Sequence, residues 1–588
     1  MLLETIRQHP ENTALSYERD GSIEKISYRE FGEMIQDITL ALAKIGLASG
    51  DRIAILSNNR PEWTISDFAS FSMGAVIVPI YQTLPPNQIA YLLHDSETRA
   101  IFVENEEQYN KIRQIKKQLP HLEFVFSFDI IPSARNDVHY FTDLLHLGRE
   151  ELKEHPERYA KLIETIDRDQ ICSIVYTSGT TGQPKGVMLN HSGFIWDIVE
   201  SEKVLNLVEE DVFLSFLPLS HLYERLAGHW CPMLRGGQIH YAKGIDTVVE
   251  DIGIARPSVI TAVPRLFEKV AARVLEQVEE GSFLKRKIFY WSLHVGRKYF
   301  DAQFEGQIPW SLERKYHLAD KLVFQKIREK LGGRLRYPIA GGAPLSVETL
   351  KFFEALGMRI IEGYGMTEAH LIITLTPYGK TRYGSCGRAI GGVELRIADD
   401  GEILVKGPTL MQGYYNNPEA TAEVIDADGW LHTGDVGHLD EDGYLFITDR
   451  KKNIIVTSGG KNVASAPIEN RLKQSKYIEE VCLVGNHRKF ISAILIPNLE
   501  ALKTWARAHS IEAGSNQELV SHPDVIAFID QELKILQMEL ARFETVKKFI
   551  LLAEPLSIED GELTPSLKIR RSVIEKRYRD QINQLYEE

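Results

Sequence analysis

Between Tyr176 and Gly186 the chain reads Tyr-Thr-Ser-Gly-Thr-Thr-Gly-Gln-Pro-Lys-Gly. Thr177, Ser178, Thr180 and Thr181 supply four hydroxyls, and Gly179 and Gly182 let neighbouring backbone N–H groups turn toward one point. Lys185 adds a cation, and the set is what binding a polyphosphate requires. It is not a Walker loop, because Lys185 stands between Pro184 and Gly186 instead of in Gly-Lys-Ser/Thr, so a P-loop nucleotide hydrolase is disfavoured. A polar surface turn is the bland alternative; the density of hydroxyls, glycines and a lysine after a buried strand favours a ligand.

Two further loops have the same character. Gly341-Gly342-Ala343-Pro344 follows the predicted strand 335–340, and Gly363-Tyr364-Gly365-Met366-Thr367-Glu368 follows 359–362. Loops at successive strand ends would form the floor and wall of one crevice, with the Tyr364 ring for a base and the Glu368 carboxylate for Mg²⁺. Each alone is equally well a structural turn. In Thr433-Gly434-Asp435 a carboxylate at a tight turn could accept both hydroxyls of a ribose, or simply close the turn.

The elements that must hold these residues follow from periodicity. Apolar β-rich runs at 52–57, 75–80, 100–104 and 123–128 alternate with helical stretches, which predicts a mostly parallel sheet covered on both faces. The pattern returns with 171–176, 213–217, 258–262, 335–340 and 359–362, giving two α/β subdomains. Residues 264–332 read as a helical insertion. From 384 to 449 short strands alternate with Asp-Gly turns, a β-rich unit. The main boundary is expected at Asp449-Arg450, dividing an N-terminal domain, 1–449, from a small α+β domain, 450–588.

The 588 residues exceed one core, and at about 150 residues per domain three or four units are expected. With 68 Lys and Arg against 82 Asp and Glu the formal charge is −14, spread along the chain, which argues against a nucleic-acid partner. Four cysteines far apart, with no CxxC pair, match neither a zinc site nor a disulfide framework, and reduced thiols in the cytoplasm are expected. Met1 to Arg7 lack the basic-then-apolar pattern of an export signal, and nowhere do about 18 apolar residues run together.

The motifs at 176–186, 363–368 and 433–435, then Asp449-Arg450-Lys451-Lys452 and the terminal Gly561-Glu562-Leu563-Thr564-Pro565-Ser566-Leu567-Lys568, resemble in order those of the adenylate-forming superfamily. That superfamily comprises acyl-CoA synthetases, peptide-synthetase adenylation domains and firefly-type luciferases. The likeness spans essentially the whole chain, and Leu217-Pro218-Leu219-Ser220-His221-Leu222-Tyr223-Glu224-Arg225 with the helical insertion brings it closest to long-chain fatty acyl-CoA synthetases.

The resemblance implies a large domain of two α/β subdomains and a small distorted β-barrel, followed by a mobile α+β domain. It implies that a fatty acid, ATP and coenzyme A give acyl-CoA, AMP and diphosphate through an acyl-adenylate. Thr177, Ser178, Gly179, Thr180, Thr181, Gly182 and Lys185 would hold the β- and γ-phosphates. Glu368, helped by Thr177, would carry Mg²⁺. Gly341, Gly342, Ala343, Tyr364, Gly365 and Thr367 would frame the nucleotide, and Asp435 and Arg450 would take the ribose. Lys568 would be the catalytic lysine of adenylation and Lys452 the pivot of a domain rotation. Gly459, Gly460 and Lys461 would line the pantetheine tunnel, while His221 and Tyr223 would lie at the acyl pocket and the coenzyme A entrance.

Acyl carrier protein as the acceptor, release at acyl-AMP, and a non-catalytic acyl-lipid binding protein stay open as rivals. A water-insoluble substrate would suit peripheral contact with the inner membrane face, although no basic amphipathic helix stands out. Oligomeric state and acyl chain length are not legible.

Overall fold

A computed structural model describes every residue except 135–136, 178–182, 245–246, 305, 565–567 and 588. Two large sheets organise the first two-thirds of the chain. The first has eight strands in the order Gly413–Tyr414, Lys185–Asn190, Ile171–Thr177, Val76–Ile80, Arg52–Leu56, Ala100–Val103, Phe124–Ser127 and His139–Tyr140. From Ile171–Thr177 onward its pairs are parallel; the two strands on the other side are antiparallel. Strands such as Val76–Ile80 are buried along their whole length, as expected where helices cover both faces.

The second sheet has nine strands, with a parallel centre of Gln238–Tyr241, Val212–Ser215, Val259–Ala262, Tyr337–Ala340 and Ile361–Tyr364. The fold class is the one expected, but strand membership differs. Ile171–Thr177, read above with the second α/β unit, belongs to the first sheet. The hairpin Thr13–Arg19/Ser22–Ser27 lies in the second, paired in parallel with Gln238–Tyr241. Periodicity reports that a strand exists and says nothing of which distant edge it joins.

Helix Tyr28–Lys44 leads away from that hairpin. Ser27 and Glu30 form a reciprocal capping box at its start, and Phe31, Ile35, Ile38 and Leu42 bury one face. The two halves are stitched by a fully buried ion pair: Arg225 binds Asp67, donates to Ser173 Oγ at 2.8 Å, and lies over the Trp230 ring at 4.8 Å. Arg225 stands in a π-helical turn, Glu224–Trp230, a wide turn common where a side chain must be re-aimed.

Between the strands Val259–Ala262 and Tyr337–Ala340 run the helices Pro264–Glu279, Phe283–Phe304 and Trp310–Ala319, the last continuing through a π turn to Lys330. A four-stranded antiparallel unit follows, Glu394–Ile397, Glu402–Lys406, Leu431–Leu439 and Leu445–Arg450. A three-stranded sheet, Ile478–Val484, Ser492–Pro497 and Phe549–Leu551, anchors the small α+β unit. All four cysteines are free thiols. Among the described residues no helix is long and apolar enough to cross a membrane.

Candidate functional site

Tyr337–Ala340 and Ile361–Tyr364 are parallel neighbours, so the loops that leave them open on the same edge of the sheet. Gly341 is buried against the Tyr223 ring, which a Cβ would meet at 3.1 Å, and Gly342 adopts φ +80°, where a side chain is strained. Tyr223 is itself buried, its hydroxyl donating to Ile339 O at 3.1 Å. It therefore braces the floor of the crevice from beneath Gly341. Ala343 is exposed at the rim.

Gly363 and Tyr364 belong to the strand and do not form the loop after it, because they pair antiparallel with Leu375 and Thr374. The chain then doubles back so tightly that a Cβ on Gly365 would fall on Leu371 O. His370 and Leu371 take φ of 53° and 140°, unusual for residues with side chains. Buried Asp197 accepts Ile372 N–H at 3.0 Å and holds this return from below, its carboxyl driven well above the usual range by burial. Thr367 and Glu368 sit on the short helical turn that results.

The Thr433-Gly434-Asp435 motif is a bulge inside a strand, in place of the expected tight turn. The pairing with Glu402–Lys406 shifts register across residues 433–435, Gly434 has φ +70°, and Thr433 Oγ1 donates to Ile403 O at 2.7 Å. The bulge aims Asp435 into the crevice. Its carboxylate accepts the Tyr364 phenol at 2.7 Å and pairs with Arg450 Nε at 3.1 Å across the hairpin.

The C-terminal unit completes the site. Lys568, though still reached by solvent, stands close enough to Arg450, Asp435 and His221 to share their fields. Crowding by the crevice walls, and then the Arg450 charge, lower its ammonium below the ordinary lysine value, with Asp435 pulling the other way. His221 is held neutral, its pKa lowered to about 4 by burial and then by Lys568. Its Nδ1 accepts Tyr223 N–H at 3.1 Å, which leaves the ring proton on Nε2.

Thr177 and Lys185, at the two ends of the phosphate-loop candidate, face each other as an antiparallel cross-strand pair. Ser178, Gly179, Thr180, Thr181 and Gly182 lie outside the described residues. Lys185 lies over the Tyr414 ring at 4.9 Å, and Tyr414 donates to Glu368 Oε1 at 3.0 Å. Sequence reasoning missed Tyr414; its only signal was a Gly-Tyr-Tyr run before Asn-Asn-Pro. Burial raises the Glu368 carboxyl, an effect that Tyr414 and Arg450 oppose. A desolvated carboxylate with raised proton affinity is one that a hard cation would stabilise, so the residues fit Mg²⁺.

Other predicted residues lie apart. Gly459, Gly460 and Lys461 form an exposed turn of the small unit, with Lys461 over Phe543 at 5.8 Å and Gly460 N–H on Thr457 O. Lys452 is exposed in the turn Lys451–Asn453, next to Lys451, which is tied to Asp400 and Glu402. Asp449 accepts backbone N–H groups of Ser465 and Ala466 at the start of helix Ser465–Leu472. Arg265 of the helical insertion binds Glu479 and Glu480 of the small unit.

A crevice on the strand ends of a two-sheet α/β body, closed by a lysine from a separate small unit, defines the adenylate-forming class. The chain belongs to the AMP-binding enzyme family, matching it over residues 2–415 and the AMP-binding enzyme C-terminal domain over 452–588. It is 32% identical over 589 residues to the long-chain-fatty-acid–CoA ligase FadD15 of Mycobacterium bovis, covering all of this chain and 96% of that protein. It is also 32% identical to the long-chain-fatty-acid–CoA ligase ACSBG2 of Xenopus laevis, covering 83% of it. Among solved structures it resembles the anthranilate CoA ligase AuaEII in complex with anthranoyl-AMP (TM-score 0.76, 21% identity, 99% and 97% of the two chains). It also resembles the adenylation domain of a carboxylate reductase from Mycobacterium chelonae (TM-score 0.74, 24% identity, 100% and 90%).

Proposed function

We propose that the protein is a long-chain fatty acid–CoA ligase that uses ATP and proceeds through an acyl-adenylate. The observation that carries the reading is the meeting of Lys568, from the far end of the chain, with Asp435, Arg450 and His221 over the crevice floored by Gly341. Full-length likeness to long-chain ligases supports the substrate class.

In this reading Tyr364 and the glycine-lined floor take the adenine, and Asp435 with Arg450 takes the ribose. Thr177 and Lys185, with the hydroxyls and glycines of 178–182, take the β- and γ-phosphates. Glu368 and Thr177 would hold Mg²⁺, whose charge would neutralise that of the phosphates. The fatty carboxylate attacks the α-phosphorus and diphosphate leaves; Lys568 offsets the repulsion between the two anions as they meet. His221, neutral and carrying its proton on Nε2, donates a hydrogen bond without adding charge. The small domain, 450–588, then turns about Lys452, withdrawing Lys568 and bringing the turn 459–461 to the crevice, where the coenzyme A thiol displaces AMP.

The test supplies ATP, Mg²⁺ and fatty acids of several lengths, with coenzyme A and acyl carrier protein as separate acceptors. AMP release coupled to acyl-CoA is the expected result. Turnover only with the carrier protein would reassign the acceptor, and absence of AMP under every condition would sink the reading.

A further inference from the structure

Lys185 sits between two backbone carbonyls, each held from outside its own strand pair. On one side the Tyr91 hydroxyl donates to Pro184 O at 3.0 Å, and on the other Tyr415 N–H donates to Gly186 O at 2.7 Å. The second contact continues the pairing of Gly413–Tyr414 with Lys185–Asn190, so the sheet supplies it. The Tyr91 contact has no such origin: a side chain on a crossover helix meets a backbone oxygen 93 residues further along the chain.

That helix, Pro86–Asp95, opens on a proline at its first position and buries Ile89, Ala90, Leu92 and Leu93 in the core of the first sheet. Tyr91 and Asp95 stand one turn apart on it and both reach the strand pair. The Tyr176 phenol donates to Asp95 Oδ2 at 2.6 Å, and the rings of Tyr91 and Tyr176 meet edge to face with centroids 6.3 Å apart. Tyr176 lies opposite Gly186, where a Cβ would come within 3.2 Å of its ring, so the glycine makes room for it. Burial, and then Asp95, raise both phenols above the ordinary tyrosine value, which keeps each a donor at neutral pH.

The Tyr91 bond acts on the lysine one residue away. Pro184 brings no N–H, so its carbonyl is the polar group by which this end of the strand can be tied down. Peptide planarity then fixes Pro184 O in one plane with Lys185 N and Cα, from which the lysine side chain departs. We propose that Tyr91, steadied by Tyr176 and Asp95, is a positioning residue that aims Lys185 at the polyphosphate of the nucleotide. The inference rests on the reading of Lys185 as a phosphate ligand of the ligase. Its consequence is selective: losing the Tyr91 hydroxyl weakens ligands that carry β- and γ-phosphates and spares AMP, whose proposed contacts lie on other strands.

The test titrates the purified full chain with ATP and Mg²⁺, and separately with AMP, in wild type, Tyr91→Phe and Tyr91→Leu. The phenylalanine variant keeps the ring against Tyr176 and removes the hydroxyl alone. Its Kd for ATP should rise about fivefold, as loss of one hydrogen bond gives, and its Kd for AMP should stay within about twofold. The leucine variant should lose more ATP affinity with AMP again spared; should it fail to fold, the phenylalanine variant decides. A kinetic readout runs the first half-reaction backwards: diphosphate attacks the α-phosphorus of supplied acyl-AMP, the fatty carboxylate leaves and ATP forms. In Tyr91→Phe the KM for diphosphate should rise about fivefold, while thioester formation from acyl-AMP and coenzyme A stays within about twofold. Parallel losses for ATP and AMP would make Tyr91 a support of the fold and overturn the proposal, as would an unchanged KM for diphosphate. A wild type that binds neither nucleotide would remove the ligase reading and this inference with it. A wild type that binds both, with a Tyr91→Phe variant indistinguishable from it, would remove this inference alone.

Discussion

The phenol of Tyr414 donates a 3.0 Å hydrogen bond to Glu368 while the Lys185 ammonium rests on the face of the same ring. One aromatic side chain thus spaces the cation proposed to bind phosphate from the carboxylate proposed to hold the metal. Removing the phenol in Tyr414→Phe withdraws about 1.5–3 kcal/mol from the ionised form of a buried carboxyl. The Mg²⁺ concentration for half-maximal adenylation should rise severalfold, more at pH 6 than at pH 8. An unchanged Mg²⁺ requirement would place the metal elsewhere.

Lys568→Ala should lower adenylation by about 100-fold or more, as loss of a transition-state charge contact does. Conversion of supplied acyl-AMP to acyl-CoA should be nearly unaffected. Equal losses in both half-reactions would mean that Lys568 supports the fold and does not take part in the first chemical step.

Tyr364→Phe should raise the KM for ATP about fivefold with little change in kcat, because one hydrogen bond of about 1 kcal/mol to Asp435 is lost. Asp435→Ala should raise it far more. Were the two variants to behave alike, the phenol would be positioning the carboxylate completely, and Asp435 would have no separate contact with nucleotide.

His221 and His370 have pKa values lowered to about 4 in the folded chain, against 6.5 when exposed. Between those values the unfolded chain binds protons that the folded chain refuses, so stability falls as pH drops from 6.5 toward 4, by up to about 3 kcal/mol for the fully buried His370 ring and by less for the partly exposed His221. His370 donates from Nδ1 to Thr409 O at 2.7 Å and accepts Asn190 N–H at 3.1 Å, roles a glutamine can fill. The acid limb of Tm against pH should be shallower in His370→Gln. A limb of unchanged slope would exclude His370 as its source.

Much of this site was legible because its motifs are local. The glycines, Thr177 and Lys185 stand out by type and neighbours, Glu368, Asp435 and Lys568 were picked out through the ordered set of family motifs, and the alternation of strands and helices gives the class of fold. Tyr414 was not legible, because what matters is its position one strand from Lys185 and opposite Glu368, which a pairing between residues 187 and 414 creates. The Asp435 bulge was read as a turn because Gly434 signals φ above zero without saying whether the chain reverses there. Arg225 and Asp67, 158 residues apart, gave no sign of being one buried pair.

That pair leads to a stability prediction. Arg225→Met leaves Asp67 buried without its cation and should cost about 3–5 kcal/mol, seen as a lower midpoint in urea. Asp67→Leu combined with Arg225→Met should recover much of the loss. A double variant no better than the single one would show that Arg225 acts through its contacts with Ser173 and Trp230 instead.

Asp449 gives the junction between the two units a directional bias. The residue is 4% exposed and its carboxylate takes two N–H groups from the first turn of helix Ser465–Leu472, just beyond Lys452, the proposed pivot. Any swing about Lys452 that carries this helix away strips both bonds from a buried anion. At about 1.5–3 kcal/mol for bonds to a charged group, the present arrangement is favoured by roughly ten- to a hundredfold. For the proposed swing Asp449 is therefore a detent: it would set how long the chain dwells with Lys568 over the nucleotide before the second reactant has its turn.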